Sequence, residues 1–270
     1  MYKRQINLAG SDDQKNQWLP KIAGGECVIG VGLSEYVGAR EDAGIEFSNG
    51  KLSGRCLFLI DGKNADAYLL ANKSGELFLV EASAPGIEVI ELTTVDKTRT
   101  SIELILKNVD ADLLSGSDNK SIIEKVLDAG RIMLAADTVG AAQVMLDKSV
   151  AYSLERKQFG RLIGSFQAVK HMCAEMAAEL EPCHSMIWHA AHCFDNVPEE
   201  ARLMACQTKA HISEVGQQIS KTATEVHGGM GFTDELGLHY WFKRIGLNRQ
   251  LLGSPELIRE EAGRLQGFDQ

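Results

Sequence analysis

Between residues 121 and 154, apolar or small side chains recur every three or four positions, at Val126, Gly130, Met133, Gly140 and Val144. That is the spacing of one buried helix face. Stretches near 165–194, 199–227 and 254–266 carry the same helical period. Together they predict an up-down four-helix bundle in the C-terminal half. Upstream the period changes. Short runs at Cys27–Val31, Lys51–Leu59, Ala67–Ala71, Leu77–Glu81 and Ser101–Leu106 are bounded by turn residues such as Ser48-Asn49-Gly50 and Ser74-Gly75. They predict a small β domain, with Ser115-Gly116-Ser117 as the hinge between the two patterns. The expected class is α+β.

Two helix ends carry candidate chemistry. Glu155-Arg156-Lys157-Gln158-Phe159-Gly160 closes the first long helix, and the glycine suits a helix C-terminus, with a second helix starting near Ser165. Arg156 therefore falls at a chain break. An arginine fork beside free backbone N–H groups suits a diphosphate, because it binds through two donors and keeps its proton. Taken alone, Glu155-Arg156 reads first as a solvated helix end. At the second end, Gly228, Gly229 and Gly231 follow a helical run from Ala205 to Val226. Without Cβ atoms the backbone there can approach a ligand, although a glycine cluster by itself is a turn signal.

The pairing of ERKQFG…IGSFQAVKH with HGGMGFT, separated by two long helices, resembles the C-terminal helical domain of the acyl-CoA dehydrogenase family. Upstream, GSDDQKNQWLPKIAGGE at Gly10–Glu26 and GLSE at Gly32–Glu35 resemble that family's entry into its middle β domain. The resemblance covers essentially the whole chain. It implies a remnant of an N-terminal helical domain at 1–25, a middle β domain at 26–115 and a helical bundle at 116–270 that binds flavin and mediates oligomerisation. Family members carry further N-terminal helices, so the chain reads as a fragment or a shortened member.

The activity implied is α,β-dehydrogenation of an acyl-CoA thioester, with FAD as hydride acceptor and a carboxylate taking the α-proton. The family pattern places Ser34 against the flavin ring, with Glu35 completing the pair, while Tyr36 and Arg40 stand where a proline and a serine are usual. CLFLI puts Phe58 at the flavin-facing aromatic and Ile60 where a hydroxyl usually approaches the flavin N5. Losing that hydroxyl removes one hydrogen bond, worth about 1 kcal/mol. Arg156, Gln158, Phe159 and Gln167, with Gly228 and Gly229, match positions reaching a flavin bound mainly by a neighbouring subunit. Glu225 replaces the usual glutamine, setting a carboxylate near a diphosphate unless it turns away or pairs with a cation. Ser254 and Glu256 match the adenosine end, and Glu256 reads equally as a first-turn helix carboxylate. Arg131 and the backbone of Leu252 are the residues implied on the substrate side.

The base is where the chain departs from the family. Counted from Glu225 the usual glutamate position holds Leu252, and counted back from Arg156 the alternative position holds Gly130. Asp137, seven residues after Gly130 on the same helix face, is the fallback acid, but two turns span roughly 10 Å, and pairing inside the bundle is its other reading. A second functional reading follows: a partner subunit without its own catalysis that completes a shared FAD site. LHYWFKR…LLGSPE resembles members found as unlike-subunit complexes on bulky substrates such as steroid side-chain thioesters. The resemblance also implies a homo- or hetero-oligomer, a dimer or dimer of dimers, with electron-transfer flavoprotein as electron acceptor.

Composition narrows the remaining classes. Hydrophobic content of 44% and charged content of 24% are globular values, and a net charge of −9 argues against nucleic acid as partner. No long apolar run or N-terminal signal is present, so the expectation is a cytoplasmic protein without membrane insertion. Six cysteines at 27, 56, 173, 183, 193 and 206 form no CxxC pair and are expected reduced. His184, His189, His192 and Cys193 fit no standard ligand spacing, so no metal is expected.

Overall fold

The computed structural model describes residues 2–33, 43–116 and 120–268; Ser34, Glu35, Tyr36 and Arg40 lie outside them. The chain divides into two compact units, residues 1–130 and 131–270.

The first unit opens with α1 (Tyr2–Ala9) and α2 (Asp12–Gly24). Ser11 starts α2 through a capping box: its hydroxyl accepts from the Gln14 N–H at 3.1 Å, and the Gln14 side chain accepts from the Ser11 N–H at 2.9 Å. Eight strands follow: β1 (Ile29–Gly32), β2 (Gly44–Ser48), β3 (Lys51–Ile60), β4 (Ala67–Ala71), β5 (Leu77–Glu81), β6 (Ile87–Leu92), β7 (Ser101–Asp110) and β8 (Asp112–Leu113). They form one sheet in the order β6-β7-β3-β1-β4-β5-β8, with β2 also on β3. β1 and β4 pair in parallel, and both are buried along their whole length, as a central parallel pair requires. At Gly32 a β-carbon would lie 2.6 Å from Cys56 Sγ and 2.9 Å from Leu59 Cγ. Glycine lets the strands close up there. Leu52, Leu59, Leu70, Phe78, Ile102 and Leu104 make the fully buried core.

The five runs read as strands from the sequence correspond to β1, β3, β4, β5 and β7. The pattern did not reveal β2 and β6. β6 lies at the sheet edge with none of its six residues buried, so it carries no half-buried alternation, and β2 is short, its alternation confined to Ile45 and Phe47.

Helix α3 (Lys120–Glu155) runs across the division between the units. After it come a two-stranded hairpin, β9 (Lys157–Gln158) and β10 (Arg161–Leu162), then α4 (Gln167–Asn196), α5 (Pro198–His227), α6 (Leu238–Gln250) and α7 (Pro255–Leu265). Only Val197 links α4 to α5, and Pro198 opens α5 at a position that needs no N–H donor. Val139, Ala142, Met145, Met176, Leu180, Ile212, Ile219 and Ile245 fill the bundle core. Gly216 on α5 faces Thr138 on α3, where a β-carbon would stand 2.5 Å from the threonine methyl. Thr138 is held in place, its hydroxyl donating to the Leu134 carbonyl at 2.8 Å. The absent side chain therefore sets how closely these two helices approach.

The bundle is thus three long helices with two shorter ones. Helix α6 was not apparent in the apolar pattern, because its buried positions are only Leu238, Ile245 and the polar Asn248. No described helix is long and apolar enough to cross a membrane. All six cysteines are free, and five of them are buried.

Candidate functional site

The two glycine-bearing helix ends read from the sequence converge at one end of the bundle. Tyr152 in the last turn of α3 stacks on His227 at the end of α5, ring centroids 4.6 Å apart. His227 is buried and bonded through Nδ1 to the Ala223 carbonyl at 2.7 Å. Burial pushes its pKa down against that bond, favouring a neutral ring. This stack ties the 157–162 hairpin to the turn at Gly228–Phe232.

Both of these segments are open. Phe159 at the hairpin apex is 92% exposed, adopts φ 52°, and meets only the edge of Phe166, at 6.2 Å. A non-glycine residue in the left-handed region with so large an apolar ring in solvent is an uncommon combination. The Arg161 guanidinium covers Phe166 at 3.9 Å. Arg156 is exposed and has no side-chain partner among the described residues. Gln158 and Gln167 make only local bonds, to the Lys157 carbonyl and to His171. Gly228, at φ 59°, and Gly229 have nothing within 4 Å of where a β-carbon would stand. Glu225 is exposed on the same final turn of α5. An unpaired cation, an unpacked aromatic ring and bare backbone together fit the diphosphate end of a dinucleotide such as FAD, which would supply the missing partners.

The α6–α7 loop is built differently, held from inside. Leu252 is buried, with φ 58°. Its carbonyl accepts from Arg131 Nε at 3.1 Å, and the same guanidinium reaches Cys206 Sγ at 3.2 Å and Glu261 at 2.8 Å. Arg202 also pairs with Glu261. Arg131 is 4% exposed, and these bonds all run to groups inside the fold. Asp137 accepts from Arg244 at 2.8 and 2.9 Å and from Asn248 at 2.5 Å. A carboxylate gripped by a guanidinium fork is a weak proton acceptor. Glu256 is bonded by the Ser254 hydroxyl and by Arg249 at 2.6 Å, which hold its pKa down at about 2.

Lys209 has no counterpart in the sequence reading. It is 1% exposed, and its Nζ donates to the Asn248 carbonyl at 2.8 Å, the Arg249 carbonyl at 3.2 Å and Ser213 Oγ at 3.1 Å, satisfying the end of α6. Burial, with Arg131 and Arg249 adding like charge, pushes its pKa down to about 7. The unfolded chain keeps a lysine proton up to about pH 10.4, so between these limits it binds more protons than the folded one. Stability should therefore rise with pH from about 7 toward 10, by up to about 1 kcal/mol per unit. Urea unfolding of wild type and Lys209→Met at several pH values reads the difference. Parallel stability profiles would show that Lys209 stays charged when folded.

In the first unit, Phe58 sits at the second register shift of the β3–β7 pairing, with φ 52°, and is 51% exposed. A bulge of this kind turns a side chain out of the sheet. Ile60, two residues on, is half-buried. Gly130 is a buried position within α3.

Residues 120–265 match the model of the acyl-CoA dehydrogenase C-terminal domain. The chain is 30% identical over 272 residues to the probable acyl-CoA dehydrogenase YngJ of Bacillus subtilis, covering 93% of this chain and 71% of that one. It is 29% identical over 252 residues to CarC, a subunit of a caffeyl-CoA reductase–Etf complex of Acetobacterium woodii, covering 84% of this chain and 65% of that one. The chain therefore spans roughly two thirds of these relatives. In fold it matches butyryl-CoA dehydrogenase of Megasphaera elsdenii with a TM-score of 0.87 over 98% of this chain and 74% of that one, at 22% identity. With the matched helical domain, the open end formed by the 157–162 hairpin and the Gly228–Phe232 turn, and these relatives together, the chain belongs to the acyl-CoA dehydrogenase family.

Proposed function

We propose that the protein is an FAD-dependent flavoprotein acting in the α,β-dehydrogenation of an acyl-CoA thioester. The observation that carries this reading is the open bundle end, where exposed, unpaired Arg156 and bare Gly228-Gly229 are tied together by the Tyr152–His227 stack. Bound there, FAD supplies the hydride acceptor. Arg156 holds the diphosphate by charge, and the open glycines let backbone N–H groups come close to it. Gln158, Phe159 and Gln167 complete the contact, while Glu225, exposed, turns its charge to solvent. Ser254 and Glu256 remain the adenosine-side residues, and Ser34, Phe58 and Ile60 those of the flavin ring. Ile60 offers no hydrogen bond to that ring, which retunes the flavin without preventing its binding. Arg131, by bonding the Leu252 carbonyl, fixes the loop whose backbone faces the thioester. The domain limits that accompany this reading are 1–25, 26–115 and 116–270.

A second reading is favoured by one specific observation. Leu252 and Gly130 offer no carboxylate, and Asp137 is engaged by Arg244 and Asn248. The protein would then be the partner subunit of a heteromeric enzyme, completing a shared FAD site whose base comes from another chain. In either reading it is part of a cytoplasmic oligomer whose flavin passes electrons to an electron-transfer flavoprotein. CarC, named as part of a complex with Etf, supports such an acceptor. Fatty acyl or steroid side-chain thioesters are the substrate classes in view.

The two readings separate on proton abstraction alone. Incubated with an acyl-CoA in deuterated buffer without an electron acceptor, a chain that holds its own base exchanges the α-hydrogens. Exchange only after addition of a glutamate-bearing family subunit assigns the partner role.

A further inference from the structure

The turn between α4 and α5 gathers three side chains that the local sequence pattern does not connect. His189 and Cys193 lie four residues apart on the last turns of α4, so they share one helix face. Glu200 comes from the first turn of α5, across the single linking residue Val197. Its carboxylate reaches Cys193 Sγ at 3.9 Å, and the sulfur lies 3.7 Å from His189 Nε2. One ligand atom from each of the three falls within 4.8 Å of the others.

We propose that His189, Cys193 and Glu200 form a structural zinc site that pins the α4–α5 hairpin. In a tetrahedral zinc site with metal–sulfur, –nitrogen and –oxygen bonds of ordinary length, the sulfur stands roughly 3.5 Å from each neighbouring ligand atom. The two sulfur separations, 3.7 and 3.9 Å, are a few tenths of an ångström longer, and the His189 and Glu200 ligand atoms lie within 4.8 Å of each other and must draw closer. His189 and Glu200 are exposed while Cys193 is buried, so small rotations of the two exposed side chains close the gap around a fixed thiolate. Thiolate, imidazole and carboxylate together suit zinc rather than calcium or magnesium, which prefer oxygen ligands alone. The fourth position is left to water.

The Glu200 carboxylate already meets the Cys193 thiol, so a divalent ion between them would replace the thiol proton, and its binding would release that proton. Glu200, from α5, adds to His189 and Cys193 a ligand that the His184–Cys193 run of α4 does not contain.

The test is cobalt substitution and zinc competition on the full chain. One equivalent of cobalt(II) should give a sulfur-to-cobalt charge-transfer band and tetrahedral visible bands, both displaced by zinc. Cys193→Ser should abolish the charge-transfer band, and Glu200→Gln and His189→Ala should each weaken zinc roughly tenfold or more. Cys173→Ser, at a half-buried thiol elsewhere on α4, should bind as wild type. Circular dichroism confirms that each variant is folded, and zinc should raise the melting temperature of wild type more than that of Glu200→Gln, whose exposed side chain the apo fold does not need. Absence of the charge-transfer band, its survival in Cys193→Ser, or equal zinc affinity in wild type and Glu200→Gln would each overturn the proposal.

Discussion

Arg131→Ala should destabilise the helical bundle by about 3–5 kcal/mol, the usual cost of removing one partner from a buried charged pair. Arg131 lies at the start of the second unit and bonds three segments distant in sequence: the Leu252 carbonyl, Cys206 and Glu261. Truncation leaves the Leu252 carbonyl without its donor and opens a cavity among α3, α5 and α7. Glu261 keeps Arg202, which moderates the loss. Arg131→Met should recover the packing share but not the hydrogen bonds. Equilibrium urea unfolding measures both. Lys107→Ala serves as the contrast, because its ion pair with Glu88 is exposed on both sides and should cost well under about 1 kcal/mol. Equal effects of Arg131→Ala and Lys107→Ala would mean that the α6–α7 loop is held by something other than this guanidinium.

Arg156→Ala should leave stability unchanged and weaken FAD binding by about 10- to 100-fold, the worth of one charge-assisted hydrogen bond. The two halves of that expectation have separate origins. Stability is unaffected because the side chain is exposed and has no described partner to lose. Affinity suffers because a diphosphate in an acidic protein of net charge −9 depends on local cations. Arg156→Lys should recover part of the affinity, since the charge remains and the fork is lost. Flavin titration of the purified protein, followed by fluorescence, reads all three proteins. Wild-type affinity in Arg156→Ala would remove this hairpin from the flavin site.

What could be read from the residues follows from the range of the interactions. The strands with turn signals and continuous buried apolar runs, such as Ala67–Ala71 and Leu77–Glu81, declare themselves within a few residues. Edge strand β6 does not, because none of its residues is buried. The ends of α3 and α5 were legible because glycines and a chain break are local features. The Tyr152–His227 stack joins residues 75 apart and was not. Nor were the bonds of Arg131, which span 75 to 130 residues, or the burial of Lys209, whose acceptors lie about forty residues on. A lysine in a helical pattern reads as solvated until the carbonyls at the end of another helix surround it. Asp137 could be seen as either an acid or a structural partner, and its pairing with Arg244 makes it the partner. Ser34, the flavin-ring residue that the family resemblance implies, lies outside the described residues.

The most direct measurement is the flavin spectrum itself. The purified, FAD-loaded protein is made anaerobic and titrated with acyl-CoA thioesters of increasing bulk, from short fatty acyl to steroid side-chain esters. A flavoprotein of acyl-CoA dehydrogenation should bleach with at least one of them, as hydride leaves the β-carbon for the flavin. Flavin that binds stoichiometrically yet stays oxidised with every thioester would contradict dehydrogenation by this chain.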